Sequence, residues 1–357
     1  MTEIYRNRLH KLSSFFEREN QEAILITSLS NCRYICGFTG SNGYLLATKD
    51  SLSLFTDSRY LIQAEQECPT TSVFPMSPEY NSLRDLLRNS KIKDVGFEFH
   101  DISYANHTNI SLSLEGLVGL IPQKYVVEKL RSVKENPEIE FIEKAVKIAD
   151  EGMSGISDLL EVGMTELDVA VKVEQFMRDL GSESPAFDTI VGVGENAAIP
   201  HHKPNGSVIK NGDQVVIDMG AVYKGYRSDL TRTFQVGDIS HRFQDIYNLV
   251  LKAQLAAEKQ ARPGMNGSQV DLMARDVISD GGYAQFFSHG LGHGVGLEVH
   301  EKPMLTKNSS DEIEVGSVFT VEPGIYIPGW GGVRLEDMLV MENESARLLT
   351  RSSKYNF

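Results

Sequence analysis

The chain has 357 residues, 41% hydrophobic and 24% charged, which is an ordinary globular composition and a length sufficient for two or three domains. Its formal net charge of −14 argues against a nucleic-acid partner and against binding to anionic membranes. The first twenty residues contain no apolar segment of the kind a signal peptide needs, and no run of about 18 apolar residues occurs. We therefore expect neither secretion nor a membrane span.

The cysteines, Cys32, Cys36 and Cys68, are odd in number and form no framework of pairs. This usage favours a reducing compartment, which predicts a cytoplasmic protein. Cys32 and Cys36 are spaced so that they could pair or bind a metal, but we expect them to be buried thiols.

The N-terminal third of the chain alternates short strands and helices. Strands are predicted at EAILITS (22–28), GYLLATKD (43–50), SLSLFTD (51–57) and DVGFEF (94–99), and amphipathic helices at RYLIQAEQE (59–67) and SLRDLLRNS (82–90). The strand signals then stop, and residues 117–140 become helical and charged. We therefore predict a small mixed α/β domain over 1–124 and a second domain over 125–357.

The second domain contains an internal repeat. Thr165 is a predicted helix N-cap, with Asp168 three residues later and Gly181 ending the helix. The same layout recurs further along the chain at Ser268, Asp271 and Gly281.

Each of these predicted helices is followed by a hairpin with an acidic residue near both ends. Asp218 and Asp229 flank one turn, and Glu322 and Glu336 flank the other. Such a repeat predicts two structurally similar halves, related by a pseudo-two-fold axis, that bring these carboxylates together. Two unrelated helix–hairpin units with surface acids would produce the same pattern.

The acids of the hairpins follow apolar strands. Asp218 comes after QVVI and Glu322 after VFTV, and a buried carboxylate is costly unless it is paired or bound to a metal. The nearest cationic residues are Arg232 and Arg334, so a structural salt-bridge network is one solution. With a histidine added, ligation rich in carboxylates suits Mn²⁺, Fe²⁺, Co²⁺ or Zn²⁺, and it can bridge two cations.

Residues 288–301 read SHGLGHGVGLEVHE. The glycines make a helix improbable, since each costs about 1 kcal/mol in a helix interior. In an extended segment His289 and His293 share one face, and His300 lies on the other face unless a bulge intervenes. This pattern alone does not decide which histidine binds a metal.

The second domain resembles the pita-bread metallopeptidases, which include the Xaa-Pro dipeptidases (prolidases), aminopeptidases P, methionyl aminopeptidases and creatinase. The segments that carry the resemblance are, in order, IPHHKP, VVIDMGAVYKGYRSDLTRTF, SHGLGHGVGLEVHEKP, FTVEPGIYIPG and GGVRLED. FTGSNGYLLAT and FTDSRY resemble the N-terminal domain of the prolidase and aminopeptidase P branch. The resemblance implies an α+β fold class, with a mixed α/β creatinase/prolidase-like domain followed by a pseudo-two-fold pita-bread domain.

The resemblance also implies a metal site with two divalent ions per subunit. The implied ligands are Asp218, Asp229, His293, Glu322 and Glu336. Asp229 and Glu336 are expected to bridge the two ions. Mn²⁺ is the metal that the resemblance favours, and carboxylate-rich ligation also permits Co²⁺, Zn²⁺ or Fe²⁺.

Substrate-binding residues are implied in the same way. His201 is expected to hold the substrate, and His300 to contact the scissile carbonyl or the leaving amide. His289 is expected to line the proline pocket, and Arg334 to lie near the bridging acid. His202 occupies a position where the family more often has glycine.

The implied activity is hydrolysis of Xaa-Pro bonds by a hydroxide that bridges the metal ions. Glu322 accepts a proton, His300 stabilises the oxyanion and His201 keeps the substrate in register, so these residues form the expected catalytic set. The expected partners are short proline-containing peptides and a second copy in a homodimer.

Other functions of this family fit the sequence less well. A methionyl aminopeptidase needs no N-terminal domain, and creatinase does not use the metal set. A non-catalytic peptide-binding relative typically loses ligand positions, and none is lost here. A dipeptidase and an aminopeptidase acting on longer peptides both remain open, because the sequence does not identify the loops that close the cleft.

Overall fold

The computed structural model describes residues 2–77 and 79–357, which fold as two compact units, Met1–Arg131 and Ser132–Phe357.

The first unit is a mixed sheet with helices in its connections. Its strands are β1 (Ala23–Ile26), β2 (Gly43–Thr48), β3 (Leu52–Thr56), β4 (Ser72–Pro75), β5 (Asp94–Glu98) and β6 (Gly119–Gln123), in the order β4-β3-β2-β1-β5-β6. Strand β2 pairs antiparallel with β1 and β3, and the other neighbours pair parallel. The helices are α1 (Thr2–Glu19), α2 (Leu29–Cys36), α3 (Leu61–Glu67), α4 (Asn81–Arg88), α5 (Tyr104–Leu114) and α6 (Val126–Ser132).

The predicted strands and helices of the first unit are confirmed within a few residues, but β6 lies in the stretch where we expected no strand. Its sequence, GLIPQ, carries a weak strand signal because it contains both glycine and proline. Strand β6 is at the sheet edge and pairs with β5, a position where proline is tolerated. Cys32 and Cys36 are buried free thiols, as predicted, and Cys68 is also buried and free.

The division between the units lies a few residues beyond the predicted boundary at 124. The reason is that α6 packs within the first unit instead of opening the second. Tyr34 Oη donates to the Leu130 carbonyl at 3.3 Å, and Arg131 Nη1 donates to Asn31 Oδ1 at 2.7 Å.

The second unit consists of two helix-covered sheets. Its helices are α7 (Asn136–Ser157), α8 (Glu166–Asp179), α9 (His241–Gln260) and α10 (Gly267–Asp280). Its strands are β7 (Ile190–Val193), β8 (Gln214–Met219), β9 (Val222–Tyr223), β10 (Tyr226–Arg227), β11 (Leu230–Gln235), β12 (Gly292–Gly294), β13 (Glu301–Leu305), β14 (Val318–Val321), β15 (Gly324–Ile327), β16 (Gly331–Arg334), β17 (Asp337–Met341) and β18 (Ala346–Leu348). The sheets run β11-β8-β7 and β13-β12-β14-β17-β18, with hairpins β9–β10 and β15–β16.

Each sheet of the second unit has its own apolar core. Val173 of α8 and Ile217 of β8 belong to the core of the first half, and Val270 of α10 and Phe319 of β14 to that of the second. Burial of such side chains stabilises each helix against its own sheet. Within the described residues we find no helix with both the length and the apolarity required to span a bilayer.

The predicted similarity of the halves is confirmed by matching backbone hydrogen bonds at the start of α8 and α10. The Gly163 amide donates to the Ile209 carbonyl at 2.9 Å, and the Gly264 amide donates to the Ile313 carbonyl at the same distance. In both halves, therefore, an equivalent backbone hydrogen bond joins the segment before the helix to a segment further along the chain.

The helix starts of the two halves are also alike, although one N-cap was predicted at the wrong residue. Thr165 and Asp168 form the predicted capping box of α8. Helix α10 is capped by Asn266, not Ser268, because the Asn266 side chain accepts from the Gln269 amide at 3.0 Å and Gln269 returns the bond.

Candidate metal centre and substrate cavity

Four acids at or next to strand ends, two from each half, come together in one place. Asp218 lies on β8, Asp229 directly precedes β11, Glu322 directly follows β14 and Glu336 directly precedes β17. The halves are joined there because the Glu336 amide donates to the carbonyl of Thr231, on β11, at 3.1 Å.

A potential metal site lies at this junction. Ligand atoms of Asp229, His293 and Glu336 all lie within 4.8 Å of one another, and all three residues are buried. His293 Nε2 is 3.6 Å from Asp229 Oδ2 and 3.4 Å from Glu322 Oε1. Asp218 lines the same cavity as the other four, so the structure brings the five predicted ligands together.

Unsatisfied carboxylate oxygens indicate that these residues fit divalent cations. Within the described residues, buried Asp218 Oδ1 and Glu336 Oε1 have no hydrogen-bond partner. An unpaired buried polar atom costs about 1–3 kcal/mol, and more when it is charged. A cation would satisfy these oxygens, and a set of carboxylates with one imidazole is suited to Mn²⁺, Fe²⁺, Co²⁺ or Zn²⁺.

The electrostatics of the acid cluster are those of crowded carboxylates. Burial and the charge of Asp218 raise the pKa of Asp229 well above its ordinary value. Burial and the charges of Asp229, Glu322 and Asp218 raise that of Glu336 in the same way. These acids therefore hold protons that a cation would displace.

Glu322 and His293 form an ion pair within the cluster. Burial alone would lower the pKa of His293, but the hydrogen bond and charge of Glu322 and the charge of Asp229 raise it to about 9. Burial alone would raise the pKa of Glu322, but the hydrogen bond and charge of His293 lower it to about 2. Glu322 is therefore ionised beside the protonated imidazole of His293.

The tautomer and position of His293 are set by the β12–β13 hairpin. Its Nδ1 lies 3.1 Å from the Gly294 carbonyl, so Nδ1 carries a proton and Nε2 faces the acids. Gly292 and Gly294 flank it, and a Cβ at either would collide with a backbone carbonyl, of Thr320 or Lys302. These glycines are therefore required by the close approach of neighbouring strands.

The reversal of the chain between the antiparallel strands β12 and β13 brings His300 beside His293. The β12–β13 register shifts between His293 and Gly294, and the two imidazole centroids lie 4.2 Å apart. The alternation pattern assumed a single extended segment, whereas the chain turns back between His293 and His300. Burial and the charge of His293 lower the pKa of His300, so its imidazole is neutral at physiological pH.

His289 is held by a hydrogen-bonded chain that the sequence did not reveal. Its Nδ1 donates to the Gly290 carbonyl at 2.7 Å, and its Nε2 accepts from Tyr326 Oη at 2.8 Å. Tyr326 Oη in turn accepts from Arg334 Nη1 at 3.0 Å. No sequence signal marks Tyr326, because its role depends on the hairpin β15–β16 bringing it beside His289.

Arg334 continues this chain to the acids. Its Nη2 donates to Asp218 Oδ2 at 2.7 Å and its Nε to Thr231 Oγ1 at 3.1 Å. The Thr231 hydroxyl donates to Glu336 Oε2 at 2.7 Å. The other candidate counter-charge, Arg232, instead pairs with Asp337 at 2.8 Å, so the salt-bridge network that the sequence allowed is divided between two places.

The backbone around His289 is fixed by Asp271, an acid that the sequence pattern assigns to the start of a helix. Asp271 accepts from the Leu291 amide at 3.0 Å and pairs with Arg275 at 2.7 Å. Arg275 Nη2 donates to the His289 carbonyl at 2.8 Å. Asp271 thus faces the interior and orders the histidine segment.

The five predicted metal ligands line a cavity of about 440 Å³. His201, His289, His300 and Arg334, the predicted substrate-binding residues, are all in its wall. Its other lining residues are Phe187, Asp188, Thr189, Ile190, Pro200, His202, Lys203, Pro204, Gly290, Gly292, Val299, Met304 and Thr306. The metal cluster therefore opens onto a mixed apolar and histidine-bearing cavity.

Comparison with known proteins identifies the family of this chain. The profile of metallopeptidase family M24 matches residues 140–343, and that of the creatinase/prolidase N-terminal domain matches residues 8–133. The first match covers more than half of the chain. This chain belongs to metallopeptidase family M24.

The M24 chain is similar over nearly its whole length to named peptidases. A Xaa-Pro dipeptidase of Pyrococcus horikoshii is 35% identical over 99% of this chain and 99% of its own. The structure of a Xaa-Pro dipeptidase from Bacillus anthracis matches with a TM-score of 0.94 and 36% identity, over 98% of this chain and 99% of that one. An X-Pro aminopeptidase from Thermotoga maritima matches with a TM-score of 0.88 and 36% identity, over 96% and 97%.

Membership of family M24 makes this protein a metallopeptidase, a hydrolase that depends on divalent metal ions. The buried cluster of Asp229, His293 and Glu336 is a site with suitable ligands for them. The fold class expected from the resemblance, a creatinase/prolidase-like domain followed by a pita-bread domain, is confirmed.

Removing one of the central acids is expected to abolish binding of the metal pair. Asp229→Ala and Glu336→Ala should each lose bound Mn²⁺, measured by mass spectrometry of the metal after dialysis. Asp238→Ala and Glu342→Ala, which remove exposed acids from the ends of β11 and β17, should keep it. Unchanged metal content in Asp229→Ala or Glu336→Ala would disprove the bridging roles.

Metal binding is expected to tighten as the pH rises. His293 is protonated below its pKa of about 9, and Asp229 and Glu336 hold protons because their pKa values are raised. Each displaced proton changes the apparent affinity by up to about tenfold per pH unit below the pKa of its group. Calorimetric titration with Mn²⁺ in buffers of different ionisation enthalpy should show proton release, and an affinity independent of pH would contradict this account.

Proposed function

We propose that this protein is a Xaa-Pro dipeptidase whose divalent ions are held by Asp218, Asp229, His293, Glu322 and Glu336. The observation that carries the proposal is the buried acid–histidine cluster opening onto a cavity lined by further histidines. The similarity to dipeptidases over nearly the full chain supports it. Mn²⁺ is our choice among the metals, because carboxylate-rich ligation suits it.

Bound ions would supply a Lewis acid and lower the pKa of the attacking water. Glu322 is suited to accept a proton because it is ionised and lines the cavity beside the other proposed ligands. It would accept the proton of the water and return it to the leaving nitrogen.

His300 and His201 would act on the peptide itself. His300 is exposed in the cavity and neutral, so one ring nitrogen can donate to the carbonyl oxygen as negative charge develops there. His201 is exposed in the same cavity wall and would hold the peptide in register.

The cavity also offers features suited to proline at the substrate's C-terminus. A proline nitrogen has no N–H and its φ is locked, so a site for it needs shape more than backbone hydrogen bonds. Phe187, Ile190 and Val299 supply apolar wall, and His289 is kept neutral by burial. Lys203 is exposed at the cavity and would attract the free carboxylate of a dipeptide.

A second candidate is an Xaa-Pro aminopeptidase that removes one residue from longer peptides. The Thermotoga maritima aminopeptidase and the Bacillus anthracis dipeptidase are equally similar in sequence to this chain. This equal similarity favours the aminopeptidase as a second candidate.

The family resemblance further supports a homodimeric enzyme. The buried thiols Cys32, Cys36 and Cys68 are suited to a reducing compartment, and this supports a cytoplasmic location.

A panel of peptides tests the proposal. Protein loaded with Mn²⁺ should release proline from Ala-Pro with a kcat/KM at least about tenfold above that for Ala-Pro-Gly, because the longer peptide moves the free carboxylate away. Ala-Ala is the matched control for the proline requirement. Faster cleavage of Ala-Pro-Gly would favour the aminopeptidase, and no cleavage of any Xaa-Pro peptide would refute both.

His300 is expected to act in catalysis without holding metal. His300→Ala should lower kcat for Ala-Pro by about 100-fold or more, as when an oxyanion donor is removed, with metal content unchanged. His241→Ala, which removes an exposed histidine at the start of α9, is the matched control and should leave both unchanged. A large loss of metal in His300→Ala would show that its role and that of His293 were interchanged.

A further inference from the structure

A buried carboxylate lies beneath the loop that carries His201. Glu166, the first residue of α8, is 0% exposed. Its Oε1 accepts from the Val193 amide at 2.9 Å and from Asn196 Nδ2 at 2.8 Å. Its Oε2 accepts from the Asn205 amide at 2.9 Å and lies 2.8 Å from His202 Nε2.

These partners belong to one segment, residues 193–207, which we call the histidine loop. The histidine loop supplies Pro200, His201, Lys203 and Pro204 to the cavity wall. His202, whose place in the sequence was unexplained, thus has a role, since its ring bonds with Glu166 beneath the loop.

The start of α8 and the histidine loop hold each other in both directions. The Glu166 amide donates to the Ser207 carbonyl at 3.1 Å, and the Leu167 amide donates to the Asn205 carbonyl at 3.3 Å. The loop therefore satisfies amides that an α-helix leaves free at its first turn, while the Glu166 carboxylate satisfies donors of the loop.

Comparison of the two halves shows that a carboxylate at the position of Glu166 is not required to start the helix. Both helices have their own capping boxes, and the residue of α10 at the position of Glu166 is Gly267. A Cβ at Gly267 would collide with the Met304 carbonyl, because there strand β13 lies against the start of the helix. The carboxylate is thus specific to the half that carries the histidine loop.

We propose that Glu166 is a positioning residue that holds the histidine loop so that His201 and Lys203 meet the substrate. This inference rests on the proposed peptidase function. Without the carboxylate, buried donors of the loop lose their acceptor, and the cavity wall relaxes away from the position that fits the peptide.

The variants that test this are Glu166→Ala and Glu166→Gln, with Asp168→Ala as the matched control. The Asp168 carboxylate accepts from the Thr165 amide at 2.9 Å and from its hydroxyl at 2.6 Å. Its removal weakens the start of the same helix without touching the histidine loop. Glu166→Gln keeps an oxygen for Val193 and Asn196 but presents a donor to the Asn205 amide.

The first measurement is hydrogen–deuterium exchange of the full chain, read from peptides that cover residues 193–207. Glu166→Ala should exchange faster there than wild type, and Glu166→Gln should lie between them. Asp168→Ala should exchange like wild type in these peptides although its melting temperature falls. Unchanged exchange in Glu166→Ala, or an equal increase in Asp168→Ala, would overturn the proposal.

The second measurement is the kinetics of Ala-Pro hydrolysis by the metal-loaded proteins. Glu166→Ala should raise KM about tenfold or more while kcat falls by less, since misplacement of a binding wall weakens substrate binding first. Glu166→Gln should recover part of the loss, and Asp168→Ala should keep the wild-type KM. A KM for Glu166→Ala equal to that of wild type would contradict the positioning role.

The two measurements separate this inference from the proposed function. If wild type cleaves no Xaa-Pro peptide, the proposed function fails, and the exchange result alone supports or overturns the attachment of the loop. If Glu166→Ala does not fold, Glu166→Gln and His202→Ala take its place. His202→Ala removes one partner, so a smaller increase in exchange supports the proposal and no increase in either variant overturns it.

Discussion

Burial of several carboxylates beside one another is the constraint on which the second unit depends. Burial and mutual repulsion raise the pKa values of Asp229 and Glu336, and within the described residues Glu336 keeps an oxygen without a partner. Such a cluster is costly unless cations complete it. His293 and Arg334 offset part of the charge, and each is itself held by hydrogen bonds that fix its direction. The surrounding structure thus keeps in place a charge arrangement that favours divalent ions.

The pseudo-two-fold arrangement explains how the acids reach one place without long loops. Each half places one carboxylate near the end of one strand and another just before the start of a second strand, and the halves meet where β11 contacts the segment before β17. The repeated frame also shows where the halves differ. Glu166 in one half and Gly267 in the other occupy the same helix position, but Glu166 faces the histidine loop and Gly267 faces strand β13.

Much of the fold could be predicted from local patterns. Strands of the first unit, the capping box at Thr165 and the paired hairpins follow from periodicity and cap residues. Strand β6 and the cap of α10 were missed or misplaced because each depends on a neighbour. An edge position tolerates Pro122, and Asn266 rather than Ser268 meets the Gln269 amide. Local signals are ambiguous where several residue types satisfy the same backbone need.

The sequence by itself determined the classes of residue at the site: acids after apolar strands, a glycine-rich histidine stretch and segments typical of one peptidase family. Only the tertiary structure decided how they are arranged. The reversal between β12 and β13 places His300 beside His293, Tyr326 links His289 to Arg334, and Glu166 supports the loop of His201. These relations join residues distant in the chain, and local sequence carries no signal for them because they arise when strands and loops pack together.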